Sequence, residues 1–234
     1  MMQPPSKIGG PVAWHRFANL ADASEALAEA VAIRLRALLA EQGRASLAVP
    51  GGTTPARFLA ALGDHDLDWK QVTLMPTDER FVAADDAASN ERMICEQFAP
   101  LRDGRVGYLS FHGHGSDIES AAAVLCAELA EMPPLDLLVS GMGTDGHIAS
   151  LFPGGEAGFA AAPDSGIVIA HPPGLPPRLS LSPARLTGAG WASLLVSGKV
   201  KEAVLRTETE RSARLPVDLL LARPQGLDVY WAKE

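Results

Sequence analysis

The sequence predicts an α/β protein, a mainly parallel sheet covered by helices on both faces. Three observations carry that expectation. Segments with apolar residues at helical spacing alternate with short apolar runs of strand length. The alternation recurs along the chain, as it does where helices connect parallel strands. The chain has 234 residues, 47% of them hydrophobic and 21% charged, enough for a sizeable buried core.

The first helix runs from Asp22 to Leu39, with Leu27, Val31, Leu35, Leu38 and Leu39 on one stripe and Gly43 ending the pattern. Ser46–Val49 reads as a short buried strand, and Pro50–Pro55 as a turn leading into a helix over Ala56–Leu62. Pro55 suits the first turn of that helix, where its missing N–H has no partner to lose. Val72–Met75 is the next strand and Ser89–Leu101 the next helix. Ile118–Met132 is helical, and Leu135–Ser140 is the clearest strand of the chain. Ile167–Ala170, Ala192–Val196 and Leu227–Trp231 are the remaining strands. The stiff loop His171–Pro177 is too short for a domain linker, and there is no internal repeat, so residues 1–234 are expected to form a single domain.

Composition narrows the function classes. Twenty Lys+Arg against twenty-eight Asp+Glu give a net charge of −8, which argues against nucleic acid or an anionic membrane as partner. Two cysteines, Cys95 and Cys126, cannot make a disulfide framework or a cysteine zinc site. No apolar run approaches the roughly 18–20 residues of a membrane span. The segment Met1–Lys7 has no apolar stretch behind its charge and does not read as a signal peptide. A cytoplasmic protein is expected, with no obligate protein partner evident.

In parallel α/β sheets, ligands bind where loops leave the carboxyl ends of strands, so chemistry is sought there. Gly51-Gly52-Thr53-Thr54 follows the first of these strands and opens a helix. It reads either as a phosphate cradle of amides and hydroxyls or as a tight turn that binds nothing. Thr77-Asp78-Glu79-Arg80 reads either as catalytic and binding groups or as a salt-bridged helix cap, and Ser89-Asn90 as an ordinary N-cap. Gly141 to Gly154 follows the clearest strand and holds Asp145-Gly146-His147. A carboxylate that fixes an imidazole tautomer is what a general base needs, although the same pair can cap a loop. His112-Gly113-His114 has ligand-like spacing but no evident third ligand, and reads as a polar loop.

The run Gly-Met-Gly-Thr-Asp-Gly-His-Ile-Ala-Ser-Leu-Phe-Pro-Gly, residues 141–154, resembles the signature of the 6-phosphogluconolactonases, in the superfamily shared with glucosamine-6-phosphate deaminases. Shorter matches follow the family order along nearly the whole chain: Gly51 to Pro55, Asp78-Glu79-Arg80, Asp86, Ser89-Asn90, Pro177 to Leu181, Gly198 to Lys201, and Trp231. The resemblance implies a Rossmann-like α/β sandwich of the ribose-5-phosphate isomerase and coenzyme A transferase kind. It implies hydrolysis of 6-phospho-D-glucono-1,5-lactone, with no cofactor and no metal. His147 then takes a proton from water, Asp145 orients it, and Arg80 meets substrate oxygens or the developing oxyanion. The family pattern places the phosphate on the Gly51, Gly52, Thr53, Thr54 turn, Arg178 and Lys201, with Asp78 also at the substrate. Lys201 is preferred to Lys199 because the family spacing is Gly-x-x-Lys from Gly198. One departure is Pro50, where many members have Ser, so any serine contact there is absent.

The nearest rival is the deaminase. That family reads Asp-Gly-His-Ile-Ala-Phe-Asn-Glu-Pro-Gly and Asp-Glu-Tyr, whereas this chain has Ser150-Leu151-Phe152 and Arg80. A phenyl ring cannot transfer a proton, so that mechanism lacks a participant. A sugar-phosphate sensor domain would need a DNA-binding helix pair, and the roughly twenty residues before the first helix are neither basic nor helical.

Overall fold

Every residue of Ala45–Val49 is buried, because this strand lies inside a sheet with both faces covered. The computed structural model describes residues 10–155, 166–207 and 213–233. With strands numbered in chain order, the main sheet contains β1 (Val12–Phe17), β2 (Ala45–Val49), β3 (Val72–Pro76), β5 (Gly107–Tyr108), β6 (Leu137–Ser140), β9 (Trp191–Ser197) and β10 (Leu227–Ala232). Their spatial order is β1-β10-β9-β6-β2-β3-β5, and every pairing is parallel. A second, antiparallel sheet joins β4 (Asp78–Arg80), β8 (Arg178–Leu181) and β7 (Ile167–Ala170) in that order.

The period of two in a strand sorts the core into two layers. Leu47, Val49, Leu137, Val139, Leu195 and Tyr230 face α1 (Leu20–Gln42), α2 (Ala56–Gly63) and α3 (Asn90–Gln97), packing on Leu27, Val31, Leu35, Phe58, Leu62 and Ile94. Ala48, Leu138, Leu194, Val196, Val229 and Trp231 face the opposite way, onto α5 (Ile118–Glu131) and the small sheet, through Leu125, Leu129, Val168, Leu179 and Leu181. Three short helices, α6 (Pro183–Thr187), α7 (Lys199–Arg206) and α8 (Asp218–Leu221), complete that layer with Leu186, Leu205 and Leu220. Helices do cover both faces, but on one of them they share the work with the antiparallel sheet.

Local chemistry sets the boundaries. Asn19 caps α1 by accepting from the Asp22 N–H at 2.9 Å, and Gly43, at φ 74°, closes it by donating to Leu39 O at 3.1 Å. The helix expected over Ser89–Leu101 breaks at Phe98 into α3 and α4 (Ala99–Arg102). Pro100 has no N–H for the helical bond and its ring would crowd the carbonyl four residues earlier. Residues 78–80, read as functional groups or a salt-bridged helix cap after the strand, instead form β4. β1 lies in the segment before the first helix, where no strand is expected. It is an edge strand with no unbroken apolar run, only partly buried along its length. Among the described residues, no helix is long and apolar enough to cross a membrane.

Because the main strands are parallel, the loops that follow β2, β3, β6 and β9 all emerge at the same edge of the sheet.

Candidate active site

Those four loops and β8 enclose a cavity of about 270 Å³. Its walls include Gly51, Gly52, Thr53 and Thr54 after β2, Asp78 and Arg80 after β3, His147 after β6, Arg178 on β8, and Lys201 on α7. Every sequence-predicted site residue except Asp145 thus lines a single space, and Asp145 is bonded to His147.

The β6 loop folds back on itself. The Gly143 N–H donates to His147 O at 2.9 Å and the Gly146 N–H to Gly143 O at 3.1 Å, with Gly146 at φ 83°. Asp145 Oδ1 lies 2.7 Å from His147 Nδ1 and also accepts the His147 backbone N–H at 3.2 Å. A carboxylate can only accept, so the imidazole proton sits on Nδ1 and the lone pair on Nε2. Burial raises the Asp145 carboxyl, but the His147 N–H and the imidazole's charge outweigh it and hold it below its usual range. The pair needs glycine at 143, where a Cβ would lie 2.2 Å from His147 Nδ1 and 2.6 Å from Asp145 Oδ1. The Phe152 ring lies against the imidazole, 4.9 Å between centroids, and against the Arg178 guanidinium at 5.4 Å.

The second wall is cationic. Arg80 on β4 pairs directly with Arg178 on β8, and the Nε of each is buried with no hydrogen-bond partner. Burial and the charge of Arg80 both depress Arg178 from its ordinary value. Asp78 Oδ2 lies 4.0 Å from Arg178 Nη1 and accepts the Ser150 hydroxyl, while Oδ1 accepts Thr77 Oγ1 at 3.2 Å. Burial pushes the Asp78 carboxyl up despite these donors and the two arginines. Lys201 is half-buried and depressed by burial, and no carboxylate among the described residues is paired with it, while Lys199 is exposed.

Asn90 is a polar wall residue to which sequence reasoning gave only the role of an N-cap. Ser89 is indeed the N-cap, accepting the Arg92 N–H at 3.1 Å, but Asn90 is buried, lines the cavity, and donates from Nδ2 to Asp78 O at 2.7 Å. A Cβ on Gly51 would meet its Oδ1 at 1.9 Å, so the two residues fit only because position 51 is glycine. Local sequence carried no signal for this contact.

Glu79, beside Asp78, serves the scaffold. Its carboxylate accepts the N–H groups of Arg80, Asn90 and Glu91 at 2.6, 2.8 and 2.7 Å and Ser89 Oγ at 3.1 Å, and it lies 3.2 Å from His112 Nε2. Burial opposes ionisation, but these donors, His112 foremost, hold it below its usual range. Glu79, Glu91 and His112 bring ligand atoms within 4.8 Å of one another, the spacing of a metal site. Glu91 accepts the Phe111 N–H, and Ser110 Oγ at 2.8 Å. The Glu79 carboxylate is therefore filled by protein donors and each Glu91 oxygen is taken by one, so the cluster reads as a polar bridge between β4, α3 and the loop after β5. His114 bonds separately to Ser110 O at 2.7 Å, as a polar loop would.

Comparison with known proteins places the chain in a family. A family model described as glucosamine-6-phosphate isomerases/6-phosphogluconolactonase matches residues 18–231. A 6-phosphogluconolactonase of Rhizobium meliloti is 38% identical over 229 residues, covering 93% of this chain and 97% of that protein. One of Pseudomonas aeruginosa is 36% identical over 234 residues, covering 96% and 97%. The crystal structure of a 6-phosphogluconolactonase from Shewanella baltica matches with a TM-score of 0.86 at 29% identity, covering 95% of this chain and 98% of that one. A monomeric glucosamine-6-phosphate deaminase shares the fold, with a TM-score of 0.74 at 19% identity. The chain belongs to the glucosamine-6-phosphate isomerase/6-phosphogluconolactonase family.

Proposed function

We propose that this protein hydrolyses 6-phospho-D-glucono-1,5-lactone to 6-phospho-D-gluconate, the second step of the oxidative pentose phosphate pathway, acting in the cytoplasm as one domain. The observation that carries the reading is the Asp145–His147 pair at 2.7 Å beside a cavity whose other walls are Arg80, Arg178, Lys201 and the Gly51–Thr54 turn. Base and anion donors thus stand in a space of sugar-phosphate size.

In this mechanism water attacks the lactone carbonyl as His147 Nε2 takes its proton, and Asp145 stabilises the imidazolium. The tetrahedral oxyanion collapses with cleavage of the bond to the ring oxygen, which leaves with the proton held by His147. Arg80 meets the negative charge that develops on the carbonyl oxygen. The phosphate is held by Arg178, Lys201 and the amides and hydroxyls of the turn, so remote binding energy positions the reacting carbonyl. Asp78 acts on the substrate side, with its carboxyl pushed up by burial. The aminosugar deamination reading is disfavoured by Phe152, whose apolar ring lies against His147 where that reaction needs an acid.

The test is hydrolysis of freshly generated 6-phosphogluconolactone against the spontaneous rate. Wild type should accelerate it strongly and His147→Ala should return it to near background. No acceleration by folded wild type, with ammonia release from glucosamine 6-phosphate, would establish the deaminase instead.

A further inference from the structure

Lys201 stands on a short helix that begins at Gly198, immediately after β9, so its position depends on how that turn is held. Two hydrogen bonds from β10 hold it. The Gly198 N–H donates to Ala232 O at 2.9 Å, and the Trp231 indole Nε1–H donates to Gly198 O at 3.1 Å. Gly198 O is also the first acceptor of α7, taking the Glu202 N–H at 3.3 Å. The indole thus bonds the carbonyl from which the helix starts, three residues before Lys201.

The indole is itself held in place. Arg16 packs its guanidinium over Trp231 at 5.0 Å and over Trp14 at 5.1 Å, and its Nη2 reaches Glu202 Oε1 at 2.9 Å. Glu202, beside Lys201, also accepts Arg206 Nε at 2.9 Å. Gly198 is at φ 85°, a conformation that glycine adopts without strain, so the turn needs fixing by its neighbours rather than by its own backbone preference.

We propose that Trp231 is a positioning residue for the anion site: its indole N–H, braced by Arg16, fixes the β9–α7 turn so that Lys201 meets the substrate phosphate. The inference rests on the reading of Lys201 as a phosphate anchor. A single hydrogen bond to a carbonyl also explains why tryptophan stands here, since phenylalanine would fill most of the same space but could not donate.

Trp231→Phe deletes that donor. It should raise KM for the phosphorylated lactone, and Kd for 6-phosphogluconate by calorimetry, about three- to tenfold, in line with loss of one neutral hydrogen bond. Turnover at saturation should stay within about twofold, because His147 and Asp145 lie on a different loop. Lys201→Met should raise KM further, and Trp231→Phe added to it should bring no additional rise. Arg16→Met, which leaves the indole in place but unbraced, is read in the same way and carries the test if Trp231→Phe does not fold. A merely structural tryptophan would lower turnover and thermal stability without a KM-selective effect, and its effect would add to that of Lys201→Met. Either outcome overturns the proposal. If Lys201→Met leaves KM unchanged, the anchor reading itself has failed and this inference falls with it. If Lys201→Met raises KM and the Trp231 and Arg16 variants do not, only this inference falls.

Discussion

Arg80 and Arg178 stand directly opposite each other on the antiparallel strands β4 and β8. Like charges at such a position oppose the pairing, and Asp78 offsets them only partly, at 4.0 Å from Arg178 and with its carboxyl pushed up by burial. On the proposed function, a bound anion would complete what the protein leaves incomplete, since both Nε–H groups are buried without an acceptor.

Anions should therefore stabilise the fold strongly. At 100 times its Kd, 6-phosphogluconate adds about 2.7 kcal/mol, a rise in Tm of about 5–10 °C for a chain of this size. Arg178→Gln should lose most of that rise while its unliganded Tm stays within about 2 °C of wild type, since a like-charge contact goes with the guanidinium. A thermal-shift titration checks both, and an equal ligand-induced rise in the variant would refute the paired-arginine account.

Asp145→Asn keeps the size of the side chain but presents an amide to His147 Nδ1, 2.7 Å away in the wild type. The amide can donate, which favours the tautomer with the proton on Nε2, the nitrogen that must accept from water. Turnover should fall about 10²–10⁴-fold, with the Kd for 6-phosphogluconate nearly unchanged. Steady-state kinetics beside calorimetry separates the two effects, and a variant that kept turnover would remove Asp145 from the mechanism.

Gly143→Ala reaches the same pair from the backbone. Gly143 is not at positive φ, so alanine brings no backbone strain, but its Cβ would stand 2.2 Å from the imidazole and displace it. Activity should drop at least about tenfold, as small misplacements of reacting groups do, while anion binding at Arg178 and Lys201 persists. Retained activity would mean that the imidazole tolerates a shift the proposed geometry does not.

Much of this was legible in the sequence, and the omissions have physical causes. The buried central strands, such as Ser46–Val49 and Leu135–Ser140, announce themselves because a strand covered on both faces is apolar throughout. β1 is partly exposed along its length, and β4 is three residues with two ionisable side chains buried, so neither carries that signal. The site residues were legible as motif matches, and their grouping follows from the parallel order of the strands. Asn90 stands in one of those matches but reads as a helix-start residue, and its place in the wall depends on its fit against Gly51, 39 positions away. Likewise the opposition of Arg80 to Arg178 depends on the register of a sheet whose first strand, β4, carries no strand signal in the sequence.

His112 supplies a pH dependence that can be isolated. Its Nε2 lies 3.2 Å from Glu79 Oε2 and 3.2 Å from Ser89 Oγ, and Glu91 also faces it. The hydrogen bond to Glu79 raises the imidazole above its ordinary value, outweighing the effect of burial. A group raised in the folded chain binds its proton more tightly there, so its contribution is complete below its ordinary value of 6.5 and disappears as pH rises through the folded value. Glu79 has the opposite sign: its contribution is complete above its ordinary value of 4.5 and is lost as pH falls through the depressed one. His112→Gln can still donate to Glu79 but does not titrate. It should be less stable than wild type by about 1 kcal/mol at pH 6, and the gap should close as pH rises through the raised folded value. Urea denaturation of both proteins at half-unit steps from pH 6 to 9 gives the difference directly, with all other titrating groups common to the two. A gap that stays constant across the window would show that the contact with Glu79 does not raise His112 above its ordinary value.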